Sequence, residues 1–227
     1  MLFITKIIVI LSVVAGVGCA IVNSSNEFNN GANTAPTPVA ETRSTTNGLQ
    51  TAVFAGGCFW GVEAVFEHVK GVTDVKSGYS GGDAKTANYD KVSEGKTEHA
   101  EAVKITFDPT KVTYVQLLTI FFSVAHDPTQ LNRQGPDAGT QYRSAIFYAD
   151  EEQKKLANDY IAATDKAKAF SKPVVTQVVP LNEFYEAEGY HQDYLKHHPN
   201  EPYIVINDQP KVEALKAKFP ELYMDKN

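Results

Sequence analysis

Cysteine is nearly absent. The 227-residue chain has two, Cys19 and Cys58, too few for a disulfide framework or a four-ligand zinc site. A surplus of basic residues is missing as well. Lys plus Arg total 21 against 27 Asp plus Glu, a formal net charge of −6, and a surface of that sign repels phosphate backbones. Nucleic-acid binding is therefore disfavoured. Long apolar runs are also lacking: Ile7 to Val22 would span roughly 24 Å as a helix at about 1.5 Å per residue, short of a ~30 Å hydrocarbon core. No repeat recurs at a 20–50-residue period. What is present is ordinary globular material, 43% hydrophobic with 12 Phe and 11 Tyr, which argues against disorder, collagen and a polytopic membrane protein.

Residues 1–22 read as a leader. One cation, Lys6, precedes an uncharged apolar stretch that ends in small residues at Gly16, Gly18 and Ala20, the pattern of an export signal. Gly16-Val17-Gly18-Cys19 resembles a bacterial lipobox, with Gly16 departing from the usual Leu or Val. Lipidation at Cys19, ordinary cleavage beside it and an uncleaved anchor all stay open. Each places the protein in the periplasm or cell envelope, with membrane contact only through the leader or a lipid. Residues 23–50 are rich in Asn, Ser, Thr, Gly and Pro, with almost no aliphatic side chains to offset ordering entropy, so they form a flexible polar linker.

The domain spans residues 51–220. Thr51–Phe54 is a short strand ending at Gly56-Gly57, and Phe59 to His68 carries apolar residues at helical spacing. Val72–Tyr79 alternates as a strand, and a polar loop runs through Gly95. In Glu101–Phe107, Val103, Ile105 and Phe107 alternate with polar residues, as in a half-buried strand. Asp108-Pro109 then turns the chain into a helix. Ala125–Thr140 is a polar loop, Tyr142–Ala149 a strand, Glu151–Phe170 a helix capped by Asp150, and Val174–Val179 a strand. The order βαββαβ, with a further helix and strand, predicts an α+β fold: a two-layer sandwich on a ferredoxin-like, split-βαβ core. From Asn182 onward, helical pieces punctuated by prolines are expected to wrap that core.

Cys58 follows two glycines and starts a helix. Unpaired N–H groups and the positive end of the dipole face a thiol there, and such a thiol can fall to about 3.5–7.5. The plain alternative is an inert buried cysteine. Glu101 at a strand start would by itself be a solvated edge carboxylate. Tyr89, Tyr142 and Trp60 alone would be core or amphipathic aromatics.

Four ordered blocks change that reading. Gly57-Cys58-Phe59-Trp60-Gly61 carries the G-C-F-W-G/A signature of peptide methionine sulfoxide reductase, type A. Gly78-Tyr79-Ser80-Gly81-Gly82 resembles that family's glycine loop. Tyr89 with Val92 to Val103 resembles its Y…V-x-x-G-x-T-x-H-A-E-x-V block, His126 to Thr129 with Asn132 to Ser144 a third block, and Tyr190 to Leu195 a fourth. The resemblance covers nearly all of residues 51–198. It implies reduction of the S epimer of methionine sulfoxide, free or in proteins. It further implies Cys58 as nucleophile, Glu101 as proton donor to the sulfoxide oxygen, and Tyr89 and Tyr142 as hydrogen-bond donors to that oxygen. Phe59 and Trp60 would cage the substrate methyl. Asp137 and His191 would orient the tyrosines or a bound water. No metal and no bound cofactor is implied.

One departure matters. Many members carry resolving cysteines near the C-terminus, yet residues 191–227 contain none, and Glu201-Pro202-Tyr203-Ile204 stands where Gly-Tyr-Cys often occurs. The expected sulfenic acid at Cys58 would then need an external thiol: a thioredoxin-like donor, glutaredoxin with glutathione, or another dithiol. Rival readings are a cysteine hydrolase with His99 or His191 as base, and a tethered binding protein that captures oxidised peptides without turnover. A zinc deaminase is suggested by His99-Ala100-Glu101 but lacks the P-C-x-x-C partner.

Overall fold

A computed structural model describes residues 48–226. The leader, Cys19 and the linker up to residue 47 lie outside the described residues. In chain order the first elements are β1 (Gln50–Gly56), α1 (Phe59–Glu67), β2 (Val72–Ser80), α2 (Tyr89–Val92), β3 (Ala100–Phe107) and α3 (Tyr114–Ile120). A two-residue hairpin follows, β4 (Arg133–Gln134) with β5 (Asp137–Ala138). Then come β6 (Ser144–Tyr148), α4 (Glu151–Lys166), β7 (Gln177–Pro180), β8 (Phe184–Glu186), α5 (Tyr194–His197) and α6 (Gln209–Lys218).

The main sheet has the order β7-β6-β1-β3-β2-β8. Each neighbouring pair among its four central strands is antiparallel, because α1 carries the chain from β1 across β3 to β2 and α3 carries it from β3 across β1 to β6. That is the split-βαβ topology the element order predicts. Side-chain alternation sorts the two faces. Ala52, Phe54, Val75, Tyr79, Val103, Ile105, Phe107 and Ile146 belong to the large core beneath the helices. Val53, Ala55, Ala100, Ala102, Ala145 and Phe147 form a smaller cluster with Val179, Leu181 and Phe184. Phe54 is a hub of the large core, with ring centroids 4.8 Å from Phe121 and 5.8 Å from both Phe66 and Tyr114.

Several boundaries differ from expectation, each for a local reason. Tyr142 is not in a strand. It ends a 3₁₀ turn over Thr140–Tyr142, and pairing with β1 begins only at Ser144, opposite Gly56. The third helix starts at Tyr114, where Thr113 and Gln116 form a reciprocal capping box. α4 stops at Lys166, and Lys168 turns left-handed at φ 52°. The Gly95 loop contains α2, capped by the Asn88 side chain. The C-terminal segment does more than wrap. β8 adds a strand to the edge of β2, and the segment returns at Met224, whose N–H donates to the His68 carbonyl at 2.9 Å. Among the described residues no helix is long and apolar enough to cross a membrane.

Candidate active site

β1 ends at Gly56, and Gly57 turns the chain at φ +95°. A side chain at Gly57 would collide with Gln134, whose Cβ and Cγ lie 2.6 Å from the Cβ position. This turn aims Cys58, the residue that caps α1, into a cavity of about 170 Å³. Its walls are Cys58, Phe59, Trp60, Tyr89, Glu101, Asp137, Tyr142 and Tyr203. The structure thus brings seven of the eight site residues expected from sequence to one cavity, and His191 stands behind it.

Glu101 arrives by alternation. It continues the apolar face of Val103, Ile105 and Phe107, so its carboxyl points under the start of α1 and not to solvent at a strand edge. It is 2% exposed and accepts a hydrogen bond from the Phe59 N–H at 3.1 Å. Burial is the main cause that pushes its pKa up to about 8, with the Phe59 bond opposing and the Asp137 charge adding. At neutral pH this carboxyl is an acid that still holds its proton.

The thiol does not behave as its helix position alone suggests. Cys58 is 8% exposed, and burial pushes its pKa well above the usual thiol range. Glu101, ionised by the pH at which the thiol titrates, and Asp208 add to the rise, while the Trp60 N–H and Lys211 oppose it. The dipole of a nine-residue helix is outweighed by desolvation and two acids. The resting cysteine is a protonated thiol.

Tyr89 and Tyr142 present their phenols to the same cavity. Burial first, then the Glu101 charge, pushes both above the ordinary tyrosine value. They are hydrogen-bond donors throughout the working pH range. Glu188 holds Tyr89 in place: it accepts the Tyr89 N–H at 2.9 Å and the Tyr79 hydroxyl at 2.8 Å.

His191 and Asp137 support aromatic walls. His191 is 2% exposed, and its Nδ1 accepts the Trp60 Nε1–H at 3.1 Å. The imidazole also packs 4.4 Å from the Tyr89 ring and 5.0 Å from Phe59. Trp60 also stacks on Tyr194, at 3.6 Å with the planes 5° apart. Asp137 accepts the hydroxyl of Tyr203, a wall residue that sequence reasoning noted but gave no role. The single clue was its position at the expected Gly-Tyr-Cys site. Glu188 and Asp208 carried no sequence signal.

The rival chemistries fare poorly in this geometry. A cysteine hydrolase needs an imidazole beside the thiol, but neither His99 nor His191 lines the cavity. His99 Nε2 sits instead 3.0 Å from the Asp83 carbonyl. Among the described residues, no group of three or more His, Cys, Asp or Glu side chains is placed to hold a metal ion.

Comparison with known proteins agrees with this chemistry. The family profile described as peptide methionine sulfoxide reductase matches residues 50–223. A Mesorhizobium japonicum protein named peptide methionine sulfoxide reductase MsrA 2 is 58% identical over 179 residues, covering 79% of this chain and 92% of the relative. A Synechocystis protein of the same name is 51% identical, covering 84% and 89%. Among solved structures, reduced Mxr1 from Saccharomyces cerevisiae aligns with a TM-score of 0.60 at 32% identity, covering 67% of this chain and 87% of its own. Methionine sulfoxide reductase A of Corynebacterium diphtheriae aligns at 0.57 and 34% identity, covering 72% and 82%. The chain belongs to the peptide methionine sulfoxide reductase family, type A, and is an oxidoreductase.

Proposed function

We propose that this reductase acts on the S epimer of methionine sulfoxide, free or within proteins, with Cys58 as the atom that takes the oxygen. The carrying observation is one reduced thiol facing one protonated carboxyl, flanked by two phenols, in a small cavity with aromatic walls. Glu101 gives its proton to the sulfoxide oxygen while Tyr89 and Tyr142 hydrogen-bond it, making the sulfur electrophilic. The Cys58 sulfur attacks. Its proton leaves, Glu101 is restored, and the oxygen passes across. The thiol becomes a sulfenic acid and the sulfoxide becomes a thioether, a two-electron exchange with all atoms accounted for. Phe59 and Trp60 hold the methyl group against apolar faces.

Recycling falls to an external thiol. Cys58 is the one cysteine among the described residues, and the sequence holds no other beyond Cys19. Two donor thiols reduce the sulfenic acid, releasing water and forming the donor's disulfide. A thioredoxin-like protein or a glutathione-dependent glutaredoxin fits that chemistry. The leader and linker read as export and tethering, so the working place is the cell envelope, and fractionation that finds the mature protein in the cytosol would reject this. The central test uses separated sulfoxide diastereomers with a dithiol. Turnover of the S form alone is expected, and mass analysis after one turnover without reductant should find a single oxygen on Cys58. An intramolecular disulfide, or no oxygen transfer by the reduced protein, would overturn the scheme.

A further inference from the structure

Gly61 lies three residues after Cys58 on α1, and something other than substrate occupies the space where its side chain would be. A Cβ at Gly61 would stand 2.1 Å from Asp208 Oδ1 and 2.7 Å from Lys211 Nζ. Asp208 is fully buried. Its Oδ1 accepts from Lys211 Nζ at 3.1 Å, and its Oδ2 has no partner among the described residues. The other ion pairs in the described residues keep their carboxylates at least partly in solvent. A buried pair with one oxygen unsatisfied is a poor device for stability, because desolvation offsets its attraction. In a dry site it is an effective device for setting a field.

We propose that Asp208 and Lys211, carried on the C-terminal segment and seated against Gly61, are positioning residues for the Cys58 thiol: the buried carboxylate holds the proton on sulfur until substrate enters, and the ammonium limits how strongly it does so. This rests on reading Cys58 as the nucleophile. The groups facing Cys58 include Glu101 from β3, Asp137 from β5, Tyr89 from α2 and Tyr142 from the turn before β6. From the C-terminal segment, Tyr194 and Tyr203 join the pair. Lys211, Asp137, Tyr203 and Cys58 lie within electrostatic reach of Asp208, whose own pKa burial raises and Lys211 lowers. Asp208 and, once ionised, Glu101 oppose loss of the thiol proton, and Lys211 favours it.

The test is the pH dependence of Cys58 alkylation by iodoacetamide in the full chain, resolved by peptide mass spectrometry so that Cys19 does not contribute. Asp208→Asn leaves the ammonium unopposed. The profile is expected to move down by about one pH unit, about tenfold more thiolate near neutrality. Asp208→Asn with Lys211→Met removes both charges and is expected to return the profile most of the way to the parent. Asp208→Ser, neutral and smaller, should shift it in the same direction as asparagine, which keeps the test readable if one variant does not fold. An unmoved profile in a folded neutral variant, or a double variant displaced as far as the single, overturns the inference. A shifted profile in a chain that leaves sulfoxides untouched would sink the functional reading and leave the charge coupling standing.

Discussion

The two walls of the cavity are built differently. One comes from the sheet and the first helix: Cys58 capping α1 just after β1, Glu101 on the buried face of β3, and Phe59 in the core. The other comes from the C-terminal segment, which gives the cavity Tyr203 and places Asp208 and Lys211 behind it, next to a short turn whose outer side chains, Val205 and Ile206, are exposed. In the proposed scheme the sheet wall holds the groups that exchange oxygen and proton, and the C-terminal segment holds groups that orient them and set their charge. Reactive atoms on rigid strands and tuning atoms on a peripheral strap amount to a division of labour, and mutation can test it.

The largest effect belongs to Cys58→Ser, which should reduce sulfoxide turnover to background while circular dichroism stays native. Glu101→Gln should follow, with a loss of about 10²–10⁴ in the chemical step read by single-turnover kinetics. In the parent enzyme the same carboxyl sets a pH limb. The acid acts while protonated, so the chemical rate should fall as pH rises through about 8. Tyr203→Phe, which removes the hydrogen bond to Asp137, should cost about tenfold or less, the scale of one ordinary hydrogen bond. A Tyr203 loss as large as that of Glu101 would break the comparison between the walls.

The smallest expected effect concerns folding. Glu63 and Glu101 are both pushed up to about 8, chiefly by burial. The folded protein therefore keeps protons that the unfolded chain releases above the ordinary carboxylate value, and stability should decline from about pH 4.5 to 8. Glu101→Gln should flatten that decline in denaturant titrations at a series of pH values. A steeper decline in the variant would contradict the buried acid.

The sheet wall was legible in sequence because its signals are local. The glycine pair before Cys58 marks the turn, and alternation marks the strand Glu101–Phe107, although Glu101 at its start reads alone as a solvated edge carboxylate and takes its role from the family block. The helix order yields the strand order directly. Tyr142 was assigned to a strand because its neighbours are strand-like, whereas Gly139 and the register with Gly56 delay pairing to Ser144. The thiol's ionisation stayed open in sequence because a helix dipole is visible in one segment, whereas the opposing acids come from β3 and from a stretch 150 residues downstream. Asp208 and Glu188 had no periodicity or motif to announce them. Their roles exist only in the folded contacts with Gly61 and with Tyr79 and Tyr89.

A lone sulfur at the bottom of a 170 Å³ cavity has a kinetic consequence. In the proposed cycle the oxidised substrate and the reducing partner both have to reach Cys58, one after the other, since it is the one cysteine among the described residues. Product must depart before the donor can reach Cys58, which makes the cycle a two-stroke exchange and lets crowding by one visitor inhibit the other.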